Sequence, residues 1–208
     1  DGAGRPKALW PIHPERTEFC LAPLQEVLRV ASSLRPAVYM ATIGAIANWW
    51  LARAKSVFTF EQADGGYTVT IECPAEATIL GRGVSHAVSN EPFFANLFKR
   101  DARVFEGIGP LPALALKSGS HPGWNQALHA EGFFVVDQKD AARTAHTLDL
   151  PIEPSGKALL DTMKSIDNDS YPLLRVWRWP NGCRSALAVS GDIDSLTIQD
   201  FFLRFREV

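Results

Sequence analysis

The chain has 208 residues, 46% of them hydrophobic and 21% charged, with a formal net charge of −2. That length suits one ordinary domain, or one with an appendage, and the composition supports a packed core rather than disorder. The charge balance offers no basic surface for phosphate, which argues against a nucleic-acid partner, and no apolar run reaches the ~20 residues needed to span a bilayer.

Ala8 to Ile12 reads as a short strand leading to His13-Pro14-Glu15. Leu24, Val27, Leu28 and Ala31 give Leu21 to Leu34 helical spacing, which Arg35-Pro36 interrupts. Ala37 to Ala41 is expected to be a buried strand, and Thr42 to cap a helix from Ile43 to Lys55 whose apolar face includes Ile46, Trp49 and Trp50. This strand–helix–strand–helix order indicates α/β architecture. Val57–Glu61 and Tyr67–Ile71 flank Asp64-Gly65-Gly66, a hairpin signal, and Ala77 to Leu80 is expected to add a third strand.

Phe93, Phe94, Leu97 and Phe98 have the spacing of a short helix, and the Gly-, Pro- and Ser-rich stretch from Gly107 to Gly123 reads as a long loop. A helix over Trp124–Ala130, a buried strand over Phe133–Asp137, and helices over Lys139–Thr147 and Lys157–Ile166 follow. Leu173 to Trp179 reads as an edge strand before the turn Pro180-Asn181-Gly182. Ser185 to Val189 reads as a strand covered on both faces, and Leu196 to Phe205 as a final helix burying Phe201, Phe202 and Phe205. The chain thus divides into an α/β segment (1–56), a small antiparallel β unit (57–83) and a second α/β segment (84–208).

Cys20, Cys73 and Cys183 are odd in number and widely spaced, giving neither a disulfide framework nor a C-x-x-C metal pair. They read as buried thiols in a reducing, cytoplasmic compartment. The chain opens Asp1-Gly2-Ala3-Gly4 without Met or a signal-like apolar core, as in a processed protein or a piece of a longer one. Six tryptophans and twelve phenylalanines mostly serve the core, although planar sugar faces also stack on such rings.

The most informative stretch is Arg178 to Ser195, where a turn and strand precede Asp192-Ile193-Asp194. If the strand continues, both carboxylates point the same way, because side chains repeat every second residue. Trp179-Pro180-Asn181-Gly182, Arg184, Ala186-Leu187 and Asp192-Ile193-Asp194 resemble the opening motif of the polysaccharide deacetylase (NodB-like) family, with Ser190-Gly191 where that family usually has Thr-Phe. His13-Pro14 and Ile46-Ala47-Asn48-Trp49-Trp50-Leu51-Ala52-Arg53 resemble the closing segment of the same family's barrel. The resemblance implies Asp192 as general base, Asp194 as metal ligand, His13 as proton donor, and a divalent cation, zinc by preference. The implied fold is α/β, a partial or permuted deacetylase-type (β/α) barrel with a small antiparallel β unit. The implied activity is metal-dependent removal of N-acetyl groups from a carbohydrate.

Two features depart from the family. Its H-x-x-x-H pair is missing: no two of His13, His86, His121, His129 and His146 are four apart. The order is also inverted, with closing motifs first and opening motif last. A C-terminal fragment carrying a degenerate second copy of the opening motif is the preferred explanation; a permuted relative and half of a split enzyme completed by a second chain are the others. Trp50, His121 and Trp124 are candidate substrate contacts. Competing structural roles are helix capping for Asp192-Ile193-Asp194, packing for Trp49 and Trp50, and an ordinary loop for His121. The rival function is a catalytically silent accessory module that binds carbohydrate or a partner chain.

Overall fold

The computed structural model describes residues 17–63, 65–84 and 92–189. Its helices are α1 (Thr17–Ser33), α2 (Ile43–Arg53), α3 (Gly123–Ala130) and α4 (Gly156–Asn168). Its strands are β1 (Val38–Met40), β2 (Val57–Ala63), β3 (Gly66–Glu72), β4 (Ile79–Arg82), β5 (Phe98–Arg100), β6 (Val104–Ile108), β7 (Leu111–Leu116), β8 (Val135–Val136), β9 (Thr144–Leu148), β10 (Leu173–Val176) and β11 (Ser185–Leu187).

The fold is mixed α/β with several small sheets, none closed into a barrel. Two three-stranded sheets, β5-β4-β10 and β8-β7-β9, meet where Phe133 bridges Arg175. The Val176 amide donates to the Gly132 carbonyl at 2.8 Å and the Phe134 amide to Leu174 at 3.3 Å, so the strands run on as β5-β4-β10-β8-β7-β9. Pairing is antiparallel in the first sheet and parallel in the second.

Alternation along these strands separates two cores. Ile79, Ala113, Ala115, Phe134, Leu174 and Val176 face one cluster with Val69, Ile71 and Phe105 of the antiparallel sheet β2-β3-β6. Their neighbours Leu80, Leu114, Phe133, Leu173 and Trp177 face the other, with Trp124 and Leu128 of α3 and Met163 and Ile166 of α4. The result is a sheet, a sheet and a helical layer. The middle strands are buried on both faces, which is why β7 reads Leu-Pro-Ala-Leu-Ala-Leu without polar alternation.

The hairpin β2–β3 forms in register from Val57↔Glu72 to Ala63↔Gly66, and the Thr42 hydroxyl accepts from the Ala45 amide at 3.1 Å as the α2 cap. Trp49 points inward and Trp50 is partly exposed. The hairpin's third strand is β6, however, because residues 79–82 pair with β10 and β5. Phe94 and Leu97 form a β-bridge leading into β5 rather than a short helix. The expected loop at Gly107–Gly123 contains the end of β6 and all of β7; Gly109 (φ 97°) makes the tight turn between them. Residues 138–143 form a 3₁₀ helix and 144–148 a strand, where one helix was expected. β10 is an interior strand, not an edge, and β11 is only half-buried. Strand 8–12 and the final helix 196–205 fall outside the described residues.

Candidate functional site

Asp192, Asp194 and His13 lie outside the described residues. The elements bordering them do not. β1 and β11 pair in parallel, with Val38↔Ser185, Tyr39↔Ala186 and Met40↔Leu187 in register. The Arg184 amide donates to Ala37 at 2.7 Å and the Ala41 amide to Leu187 at 3.1 Å, extending the ladder at both ends. The strand that leads toward the paired aspartates thus lies against the strand that follows His13 and α1.

The two sequence motifs also dock on each other. The Trp49 indole N–H donates to the Arg178 carbonyl at 2.9 Å. Trp50 meets Trp179 edge to face, centroids 5.6 Å apart. Arg53, 3% exposed, donates from Nε to the Trp177 carbonyl at 3.0 Å, from Nη1 to Ala130 at 2.6 Å and from Nη2 to Val176 at 3.3 Å. Burial, and then the nearby Arg175 charge, pull the Arg53 guanidinium down to about 10; it stays protonated at neutral pH. Arg53 lies four residues after Trp49 and three after Trp50 and so neighbours both on the α2 surface, and this patch holds the tail motif.

The remaining candidates separate. Trp50 borders the core beneath the antiparallel sheet, with the Arg53 and Arg178 guanidiniums 5.0 and 5.9 Å from its ring centroid. Trp124 belongs to the opposite core, is 2% exposed, and donates its indole N–H to Ile152 at 2.6 Å, so its ring offers no open face for a sugar. His121 turns inward on its own loop: its Nδ1 accepts from the Gly123 amide at 3.2 Å and shapes the entry to α3. Among the described residues no three His, Cys, Asp or Glu side chains are placed to hold a metal ion. Of the thiols, Cys73 is half-buried and Cys183 buried, and burial pushes both upward, away from the reactive thiolate.

Two charged groupings escaped the sequence reading. Arg175, 1% exposed, contacts both Asp167 carboxylate oxygens at 3.0 and 3.1 Å and donates from Nε to the Glu131 carbonyl at 3.1 Å. The Glu131 carboxylate takes Arg178 at 2.6 Å. An arginine inside Leu-Leu-Arg-Val was the available signal, because a charge is buried in a strand only when it is paired. Second, His146 Nδ1 lies 3.3 Å from Asp169 Oδ2, with Tyr171 edge-on at 4.7 Å.

Burial pushes the His146 imidazole below its ordinary value, against the pull of Asp169 and with the push of Arg82. A lowered folded pKa means the unfolded chain binds the proton more readily. Stability is therefore undiminished above the unfolded value of about 6.5 and is lost as pH falls from there toward the folded value. Urea melts at stepped pH are expected to show this fall, and His146→Gln to flatten it; an equal slope in the variant would assign the loss to other groups.

No protein-family model, curated protein or solved structure matches this chain.

Proposed function

We propose that this chain is part of a metal-dependent hydrolase removing N-acetyl groups from a carbohydrate, and that it supplies the seam at which a deacetylase-type (β/α) barrel closes. The parallel pairing of β1 with β11 carries the reading. In a closed parallel barrel the first and last strands are neighbours, and the segments resembling the family's last and first strands are the ones paired here.

The seam's exposure supports completion from elsewhere. Parallel strands are normally covered on both faces, yet Met40 of β1 is 45% exposed, and Leu21, Val27 and Val30 of α1 and Ile43 and Leu51 of α2 stand in solvent. Further strands and helices, from a second chain or another segment, would cover them.

In this reading Asp192 is the base that takes a proton from water, His13 the acid that protonates the leaving amine, and Asp194 a metal ligand. A catalytic zinc takes three protein ligands. With no histidine pair four apart, this chain offers one ligand by resemblance, so its residues do not by themselves fit the ion. The same shortfall favours the second reading, a silent carbohydrate- or partner-binding module.

Metal content of the purified chain, measured beside Asp194→Ala, tests the assignment. With one ligand supplied by this chain, the hydrolase reading expects weak zinc uptake by the parent chain at raised zinc concentration, and less by the variant. Equal content removes Asp194 from any site and leaves the silent module.

A further inference from the structure

A cleft of about 250 Å³ opens where α2 gives way to β2, beside the end of α3. It is lined by Lys55, Ser56, Phe58, His129, Phe134 and Val135, among others. This surface belongs neither to the seam nor to any residue of the proposed hydrolase site.

Its residues divide by chemistry. Ser56 is 4% exposed and its Oγ has no hydrogen-bond partner among the described residues. A buried hydroxyl without a partner bears a desolvation penalty that a bound acceptor would remove. Lys55 and His129 are exposed, and no ion pair engages either among the described residues. Two helices end here, and their negative poles work against a bound anion, so its charge has to be met by Lys55. Phe58 and Phe134 stack nearly flat, 4.8 Å between centroids and 5° between planes, and make an apolar wall with Val135.

We infer that this cleft is a binding site for a small monocarboxylate with a flat or branched apolar body. The carboxylate accepts from the Lys55 ammonium, the Ser56 hydroxyl and the His129 imidazole, while the apolar body lies against the part-exposed Phe58 and Val135. The volume falls just under the ~300 Å³ where small-molecule sites begin, which restricts the ligand to a single ring or a short branched chain.

Phenylacetate is the probe and phenylacetamide its uncharged twin, titrated into the ¹⁵N-labelled full chain. Saturable shifts of the Ser56, Val57 and Val135 amides are expected with phenylacetate, and binding about tenfold weaker with the amide. Lys55→Gln, an exposed change that leaves the fold intact, is expected to erase the preference for the acid. Ser56→Ala is expected to raise the Tm of the free chain, because it removes the unpartnered hydroxyl, and to weaken phenylacetate. Equal binding of acid and amide, a preference that survives Lys55→Gln, shifts confined to other surfaces, or no saturable shift each overturn the proposal. Zinc content plays no part in these readouts, so they stand apart from the test of the hydrolase reading.

Discussion

Arg175→Ala is expected to destabilise the chain by roughly 3–5 kcal/mol, because it leaves a buried carboxylate without its partner. The Arg175 guanidinium is held by Asp167 and by the Glu131 carbonyl, and its face lies 4.2 Å from the Phe133 ring centroid. Asp167 is itself buried at the end of α4. Burial pushes the Arg175 guanidinium down and the Asp167 carboxyl up, both toward neutrality, so desolvation outweighs their attraction. That balance has a second consequence. Replacing both partners, Arg175→Met with Asp167→Leu, should recover much of the loss, since an apolar pair of similar volume avoids the desolvation. A domain of this size is held by about 5–15 kcal/mol in all, so chemical denaturation resolves the single and double variants readily. A harmless single variant would mean that the pair is not closed in solution.

Gly132→Ala is the second large effect expected, at roughly 2–6 kcal/mol from backbone strain and overpacking together. Gly132 sits at φ 86°, a conformation that side chains disfavour. A Cβ there would press into the Val176 carbonyl oxygen and come within 2.6 Å of Arg53 Nη2. Neither neighbour can yield cheaply. The Val176 amide donating to the Gly132 carbonyl is one of the two backbone bonds that join the two central sheets, and Arg53 Nη2 donates to the Val176 carbonyl. Loss of amide protection in hydrogen exchange should therefore begin at Val176 and Phe134 and reach α2 through Arg53. Protection lost evenly over the chain, or not at all, would contradict this account of the joint.

Local chemistry was legible in the sequence wherever it acts within a few residues. The Thr42 cap, the Gly65-Gly66 hairpin and α4 follow from side-chain spacing and backbone freedom alone. What failed depended on distant partners. Leu111–Leu116 lies between Gly109 and a Gly- and Ser-rich stretch, and its apolar run is explained only by two layers packing on it from opposite sides. β10 read as an edge because β4, its neighbour, is some ninety residues earlier in the chain. The helical spacing of 139–147 is broken by pairing of His146 and Thr147 with β7, a tertiary contact that local propensity does not encode.

The proposed site was legible only as motifs. The Trp-Trp-x-x-Arg patch and the Arg-Trp-Pro-Asn-Gly turn stand 129 positions apart where Trp49 bonds Arg178, and spacing alone does not say that they meet. Their union rests on β1 and β11 pairing and on the α2 side chains that hold the turn. Buried Arg53 and Arg175 show the converse: each is a charge in an apolar setting, and its partners become known only from the fold.

The central claim is that head and tail of the polypeptide converge beside the β1–β11 seam, bringing His13 and Asp194 to one place. Spin labels at His13→Cys and Asp194→Cys, with Cys20, Cys73 and Cys183 replaced, measure this directly by pulsed dipolar spectroscopy. A narrow distribution at the short end of the accessible range is predicted. A broad or long distribution, with the seam itself intact, would contradict it.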